Sequence, residues 1–156
     1  MEIRKIIIKT ISTFFYIGYL PFIPGTFGSM AGICLYYLIK KSTPIIYTLF
    51  TLLLIILGFL VAGEAEKIFN NKDARCIVID EVCGMLLSLI FVPYNIKLVI
   101  IAFILFRLLD SLKPYPAGRF QDLKGSAGVM LDDIIAGVYT NIILQAVLRL
   151  ASFRIS

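Results

Sequence analysis

The chain of 156 residues contains no histidine. That excludes the phosphohistidine lipid phosphatases and leaves any bound metal to oxygen ligands, the chemistry of hard cations. Cysteine is scarce: Cys34, Cys76 and Cys83 are odd in number and form no Cys-x-x-Cys. They read as small apolar residues of a reduced chain, not as a disulfide framework. The residues six positions after them are Lys40, Val82 and Leu89, so the Cys-x5-Arg phosphatases are excluded as well. No Asp-x-Asp occurs, which argues against the haloacid-dehalogenase type. Charge is also sparse, at 16% against 60% hydrophobic residues. With a mean hydropathy of +0.94, that is not a soluble composition.

What is present points to a bilayer. Pro44–Gly63 carries no charge and is long enough to cross a hydrocarbon core of ~30 Å. Length gives one domain, 1–156, an integral membrane protein. The net charge is +5, and the bases are clustered without the repeated basic and aromatic pattern of a nucleic-acid surface. Their expected partner is an anionic lipid or a phosphate, with no nucleic acid. Arg4, Lys5 and Lys9 begin the chain, but Pro21 and Pro24 break the apolar run that follows. This beginning reads as a mature interfacial segment and not as a signal peptide.

Apolar segments at 29–39, 44–63, 83–93, 96–109 and 134–148 each predict a helix, because backbone in lipid must satisfy its own hydrogen bonds. The expected fold is all-α: a polytopic bundle of about 4–5 membrane helices arranged in hairpins. Turns at Lys40–Pro44 and Pro93–Lys97 put the hairpin tips on one side and every polar loop on the other. Arg4, Lys5, Lys9, Lys67, Lys72, Arg75, Arg107, Lys113, Arg119 and Lys124 then share the loop side. Only Lys40, Lys41, Lys97, Arg149 and Arg154 fall on the tip side. The positive-inside tendency places the loops in the cytoplasm. Segments 29–39 and 83–93 rise only ~17 Å as helix, too little to span alone. They extend into their flanks, or are re-entrant, or 83–106 is one kinked span that would separate Asp80 from Asp110.

Five carboxylates, Asp80, Glu81, Asp110, Asp132 and Asp133, stand beside or inside these apolar stretches. Ionised groups at membrane depth are costly and usually mark a functional site. Asp80 and Glu81 begin a helix, where one acid would suffice to complement the dipole. Arg107 and Asp110 are i,i+3 neighbours, so a structural ion pair is the plain reading. Yet Asp110 lies near a helix C-terminus, where an acid needs a cation close by. Pro114 and Pro116 stop that helix. Asp132 and Asp133 start another helix side by side and repel one another unless a cation sits between them. Before Ser29, two prolines and three glycines make a fixed loop whose amides and hydroxyls could hold a phosphate. The plainer reading has Ser29 as N-cap and Gly28-x-x-x-Gly32 as a packing face. Glu64 and Glu66 look like a solvated helix end beside Lys67, and Asp73 and Asp122 like loop acids. Carboxylates in that number with bases nearby suit Mg²⁺ and a phosphate together.

Four ordered blocks, LPFIPGTFGS (20–29), IDEVCGM (79–85), FRLLDSLKPYP (106–116) and VMLDDIIAGVY (129–139), resemble the bacterial phosphatidylglycerophosphatase A family. The resemblance implies a helical enzyme of the bacterial cytoplasmic (inner) membrane with its active site facing the cytoplasm. It would remove the terminal phosphate of phosphatidylglycerol phosphate, an anionic phospholipid, in a Mg²⁺-dependent reaction. Asp80, Glu81, Asp110, Asp132 and Asp133 fall on the family's acidic positions, and Thr26, Ser29, Arg107, Lys113 and Pro114 on its other motif positions. Individual roles are assigned from chemistry alone. Asp80, Asp110, Asp132 and Asp133 are expected to hold one or two Mg²⁺ ions, with Thr26, Ser29, Arg107 and Lys113 around the phosphate. Glu81 is the candidate general base for an attacking water, and an aspartyl-phosphate on Asp110 or Asp132 is the alternative. A membrane cation carrier would also use intramembrane acids, but would want them in two similar halves that this chain lacks. A CDP-alcohol phosphotransferase would need Asp-Gly-x2-Ala-Arg, which is missing.

Overall fold

A computed structural model describes residues 2–72, 74–115, 117–120 and 123–153. Asp73, Pro116, Asp122 and Arg154 lie outside them. The described residues are helical without strands: α1 (Glu2–Ser12), a 3₁₀ turn (Ile17–Tyr19), α2 (Pro24–Ile39), α3 (Pro44–Phe69), α4 (Ile79–Ser88), α5 (Ile96–Leu112), the short α6 (Ala117–Phe120) and α7 (Ser126–Phe153). Local chemistry sets most boundaries. Pro24 and Pro44 occupy the first turns of α2 and α3, where a missing N–H costs nothing. The Thr43 hydroxyl accepts from Ile46 N–H at 3.4 Å, and Asn95 Oδ1 accepts from Lys97 N–H at 2.9 Å. Asn70 and Lys113 close α3 and α5 in the left-handed conformation.

Several boundaries differ from the sequence reading. α2 starts five residues before Ser29, so Ser29 is not an N-cap. It is buried inside the helix, and its hydroxyl donates to the Gly25 carbonyl at 3.0 Å. α7 starts at Ser126, so Asp132 and Asp133 sit in its second turn and do not begin it. The 83–93 segment is neither a span nor part of a kinked one: α4 ends at Ser88 and the chain turns before α5. Two helices, α3 and Ser126–Leu150 of α7, are long and apolar enough to cross a membrane. Their outward faces are apolar, with Ile45, Leu49, Leu53, Ile56 and Leu60 of α3 and Ile142, Val147 and Leu150 of α7 exposed.

α4 occupies the centre, packed against α2, α3, α5 and α7. It has only 10 residues, and all but Glu81 and Leu87 are buried. A helix ending in apolar surroundings leaves carbonyls without partners. Here the neighbours supply them. Tyr47 Oη donates to Leu86 O (2.7 Å), Asn141 Nδ2 to Ser88 O (3.1 Å) and Ile90 O (2.7 Å), and Gln145 Nε2 to Ile90 O (3.2 Å). At the same end the two hairpin tips meet. The Lys40 ammonium lies 3.6 Å from the Tyr94 ring centroid and 4.4 Å from that of Tyr37, a cation–π contact between the turns.

At mid-helix α4 meets α7 through glycine. A Cβ on Gly137 would lie 2.5 Å from the Gly84 carbonyl oxygen, and a Cβ on Gly84 would lie 2.7 Å from the Asp133 carbonyl oxygen. The opposing atoms are backbone and cannot swing aside. Gly137→Val should therefore force α4 and α7 apart and destabilise the fold by about 1–3 kcal/mol, read as a lower melting temperature in detergent.

Candidate active site

Four helix ends and one loop converge on a cavity of ≈ 290 Å³. The first turn of α4 supplies Asp80 and Glu81. No side chain caps its N-terminus at Val78, and the two acids stand in the first turn at the positive end of the dipole. The second turn of α7 supplies Asp132 and Asp133, and the last two turns of α5 supply Arg107 and Asp110. Lys113 follows at φ 45°, and that left-handed step sends its ammonium to Asp132 Oδ2 on α7. The start of α2 contributes Pro24, Gly25 and Thr26, and the loop before α4 contributes Arg75 and Ile77.

Pairing is incomplete in a way that defines the site. Arg107 Nη1 lies 2.9 Å from Asp110 Oδ2, and Asp133 N–H donates to Asp132 Oδ1 at 3.2 Å. Burial alone would lower the Lys113 ammonium. Its hydrogen bond to Asp132 and the charges of Asp132, Asp110 and Asp133 outweigh this, so Lys113 is held above its usual value. Meanwhile Asp80 Oδ1, Glu81 Oε2 and Asp133 Oδ1 are buried without a hydrogen-bond partner. One carboxylate oxygen each from Asp110, Asp132 and Asp133 lies within 4.8 Å of the others. Five acids face three bases on the cavity wall, and the residual formal charge is the amount a single divalent cation offsets. An all-oxygen donor set with partnerless buried oxygens fits a hard cation, which Asp110, Asp132 and Asp133 would hold.

The residues singled out from the sequence therefore come together, with one exception. Thr26, Asp80, Glu81, Arg107, Asp110, Lys113, Asp132 and Asp133 share the cavity, whereas Ser29 is outside it and bonded to its own helix. Among the wall residues outside that set, two touch its charged groups or add charge of their own: Arg75 and Gly25. Arg75 was counted only as a loop base, and its signal is weak: a single arginine five residues before an acid pair. Gly25 was taken as loop glycine. A Cβ there would lie 2.2 Å from Glu81 Oε1 and 3.4 Å from Arg107 Nη1, a contact no sequence pattern announces.

A helical membrane protein that gathers carboxylates, arginine and lysine into one cavity at a helix-terminal cluster belongs with the enzymes of phosphate ester chemistry. The comparison with known proteins makes this specific. The profile of the family described as Phosphatidylglycerophosphatase A matches residues 10–148, and the chain belongs to that family. It is 37% identical over 123 residues to the phosphatidylglycerophosphatase A of Escherichia coli (strain K12), covering 78% of this chain and 72% of that protein. The phosphatidylglycerophosphatase A of Haemophilus influenzae is 33% identical over 127 residues, covering 80% and 78%. A Bacteroides thetaiotaomicron protein named putative phosphatidylinositol-3-phosphatase is 36% identical over 143 residues, covering 86% and 89%. No solved structure matches the chain. The protein is a phosphatase, and the cation-carrier alternative gains no support from these relatives.

The opposing atom at Gly25 is the end of a flexible side chain, so Gly25→Ala should move the Glu81 carboxylate and leave the fold intact. We expect kcat/KM to fall at least about tenfold, ~1.4 kcal/mol of transition-state stabilisation, with an unchanged melting temperature.

Proposed function

We propose that the protein hydrolyses phosphatidylglycerol phosphate to phosphatidylglycerol and inorganic phosphate with the help of Mg²⁺, in a bacterial inner membrane with the cavity facing the cytoplasm. The observation that carries this reading is the cavity itself: clustered carboxylate oxygens without partners, next to Arg107 and Lys113, in a chain of this family. The excess of bases on the loop side supports the orientation. In this arrangement α2, α3, α5 and α7 embed in the bilayer with α4 enclosed among them. α1 lies at the interface, with Ile3, Ile6 and Ile7 exposed on one face.

Asp80, Asp110, Asp132 and Asp133 are the residues that would hold Mg²⁺, which when bound supplies Lewis-acid stabilisation of charge on the phosphoryl oxygens. The chain's own groups do the rest. Arg107 and Thr26 orient the phosphate from two sides, and Lys113 adds positive charge near its oxygens. Glu81, pressed under Gly25, has one buried oxygen free to take a proton. A water oxygen attacks phosphorus while Glu81 accepts its proton. The bond between phosphorus and the glycerol oxygen breaks, and that oxygen leaves with a proton from solvent. Ser29 has no part in this scheme.

Phosphate release from phosphatidylglycerol phosphate by purified protein in detergent is the test. Release should require Mg²⁺, stop with EDTA, and fall by more than about a hundredfold in Asp80→Asn and in Asp133→Asn. Full activity in EDTA would overturn the metal reading. The name of the Bacteroides relative makes phosphatidylinositol 3-phosphate the competing substrate to run beside it. Faster release from that lipid would move the assignment to inositol headgroups.

A further inference from the structure

Beside the acidic cavity a groove of ≈ 410 Å³ runs between α2 and α5, lined by Thr26, Phe103, Ile104, Arg107, Leu108 and Ser111. Thr26 and Arg107 line the cavity as well, so the two spaces share a wall. Three features set the groove apart from an ordinary surface dent. It lies along a weak seam: α2 packs extensively on α4 but barely touches α5. Its chemistry changes along its length. Ser111 and Arg107 lie toward the cavity end, and Phe103 lies about 6 Å deeper than Arg107 along α5 by helical rise. Its apolar wall also opens outward, with Ile104 51% and Leu108 52% exposed. A polar end that continues into the charged site and an apolar end that opens sideways are complementary to one kind of occupant, an amphiphile with a phosphorylated head.

The geometry points to this groove as the subsite for the acylglycerol part of the lipid phosphate, which enters sideways from the bilayer between α2 and α5. The assignment rests on the lipid phosphatase reading of the cavity and extends it to the half of the substrate that undergoes no chemistry. Thr26 and Arg107 stand at the junction, where the phosphate passes into the carboxylate site and the glycerol ester remains behind. Ile104, Leu108 and the Phe103 ring then pack against the first methylenes of an acyl chain, fixed contacts in place of mobile lipid. Binding energy gained on that remote part positions the phosphate for reaction. A site built only for a soluble phosphate ester would need no apolar outlet.

The test compares two compounds in detergent: diacyl phosphatidylglycerol phosphate and its deacylated headgroup, glycerophosphoglycerol phosphate. Wild-type protein should show a higher kcat/KM for the diacyl compound. Ile104→Trp, which fills the groove, should lower the ratio of diacyl to deacylated kcat/KM at least tenfold. Ile56→Trp, on the outward face of α3, should leave that ratio at the wild-type value. A wild-type ratio near one, or an unchanged ratio in Ile104→Trp, would overturn the groove assignment while leaving the reaction standing. Should Ile104→Trp process neither compound, the smaller change Leu108→Phe decides by the same ratio. Wild-type protein releasing phosphate from neither compound would overturn the reaction, and the groove with it.

Discussion

Gly84 on α4 and Gly137 on α7 meet with no side chain between them, each four residues beyond an aspartate on its own helix. Positions i and i+4 share a helix face. The face of α4 that carries Asp80 is therefore pressed on the face of α7 that carries Asp133, one turn from the contact. A methyl group at either glycine would meet backbone oxygen, so this approach is available to glycine alone. α2 comes close to α4 by the same device. A Cβ on Gly28 would lie 2.9 Å from Val78 Cβ, and one on Gly32 would lie 2.9 Å from Met85 Cβ. Small residues that let helices approach closely are a general solution in lipid, where the hydrophobic effect does not drive helix association. Here their arrangement also fixes the distance between acids.

Gathering acids from α4, α5 and α7 in one cavity carries an electrostatic cost that the rest of the site is arranged to offset. Two ionised carboxylate oxygens within 4.8 Å of one another repel by about 3 kcal/mol or more at an effective dielectric of ~20. Asp110, Asp132 and Asp133 contain three such pairs. Arg107 and Lys113 each neutralise one acid directly, and the N-terminus of α4 favours Asp80 and Glu81. These partners leave three buried carboxylate oxygens unpaired. A cluster with that residue of negative charge is poorly explained as a stability device, because apolar side chains of similar volume would pack there at lower cost.

Much of the site could be read from the chain because its chemistry is local. Acid pairs at helix starts, an arginine three residues before an aspartate, and turns at Lys40–Pro44 and Pro93–Lys97 are short patterns. Together they gave the hairpin arrangement that puts Asp80 and Asp110 on one side. Hydropathy failed where neighbours override it. It located apolar runs but not the true starts of α2 and α7, because Pro24 and Ser126 begin those helices inside stretches that look like loop. It read 83–93 as apolar helix although the chain turns at Leu89, where Asn141 and Gln145 from a helix 50 residues away donate to the freed carbonyls. Ser29 looked like a cap because its residue type suits one. Deep in α2, its hydroxyl returns to the carbonyl four residues back instead. Gly25 and Arg75 were invisible as wall residues because only tertiary contact gives them that place.

In the proposed membrane placement, the depth of the site would follow from helix length. The 28 residues of α7 rise about 42 Å, close to a bilayer with its headgroup layers at ~40–45 Å. Asp132 is the seventh residue of that helix, about 9 Å below its polar end. With α7 along the membrane normal, the carboxylates fall near the boundary between headgroups and a hydrocarbon core of ~30 Å. A phosphomonoester on a membrane lipid lies at that level without being lifted out of the bilayer, and water reaches it from the polar side. Had Asp132 stood at the first residue of α7, the acids would lie out among the headgroups, where solvent screens them and metal or phosphate binding weakens. Two turns deeper, the cost of ionisation would fall on groups with no water at hand. The short α4 suits the same level: about 15 Å of helix reaches from the site toward the bilayer centre. It stops where Tyr47 and Asn141 donate to Leu86 O and Ser88 O, and Asn141 and Gln145 donate to Ile90 O in the turn beyond.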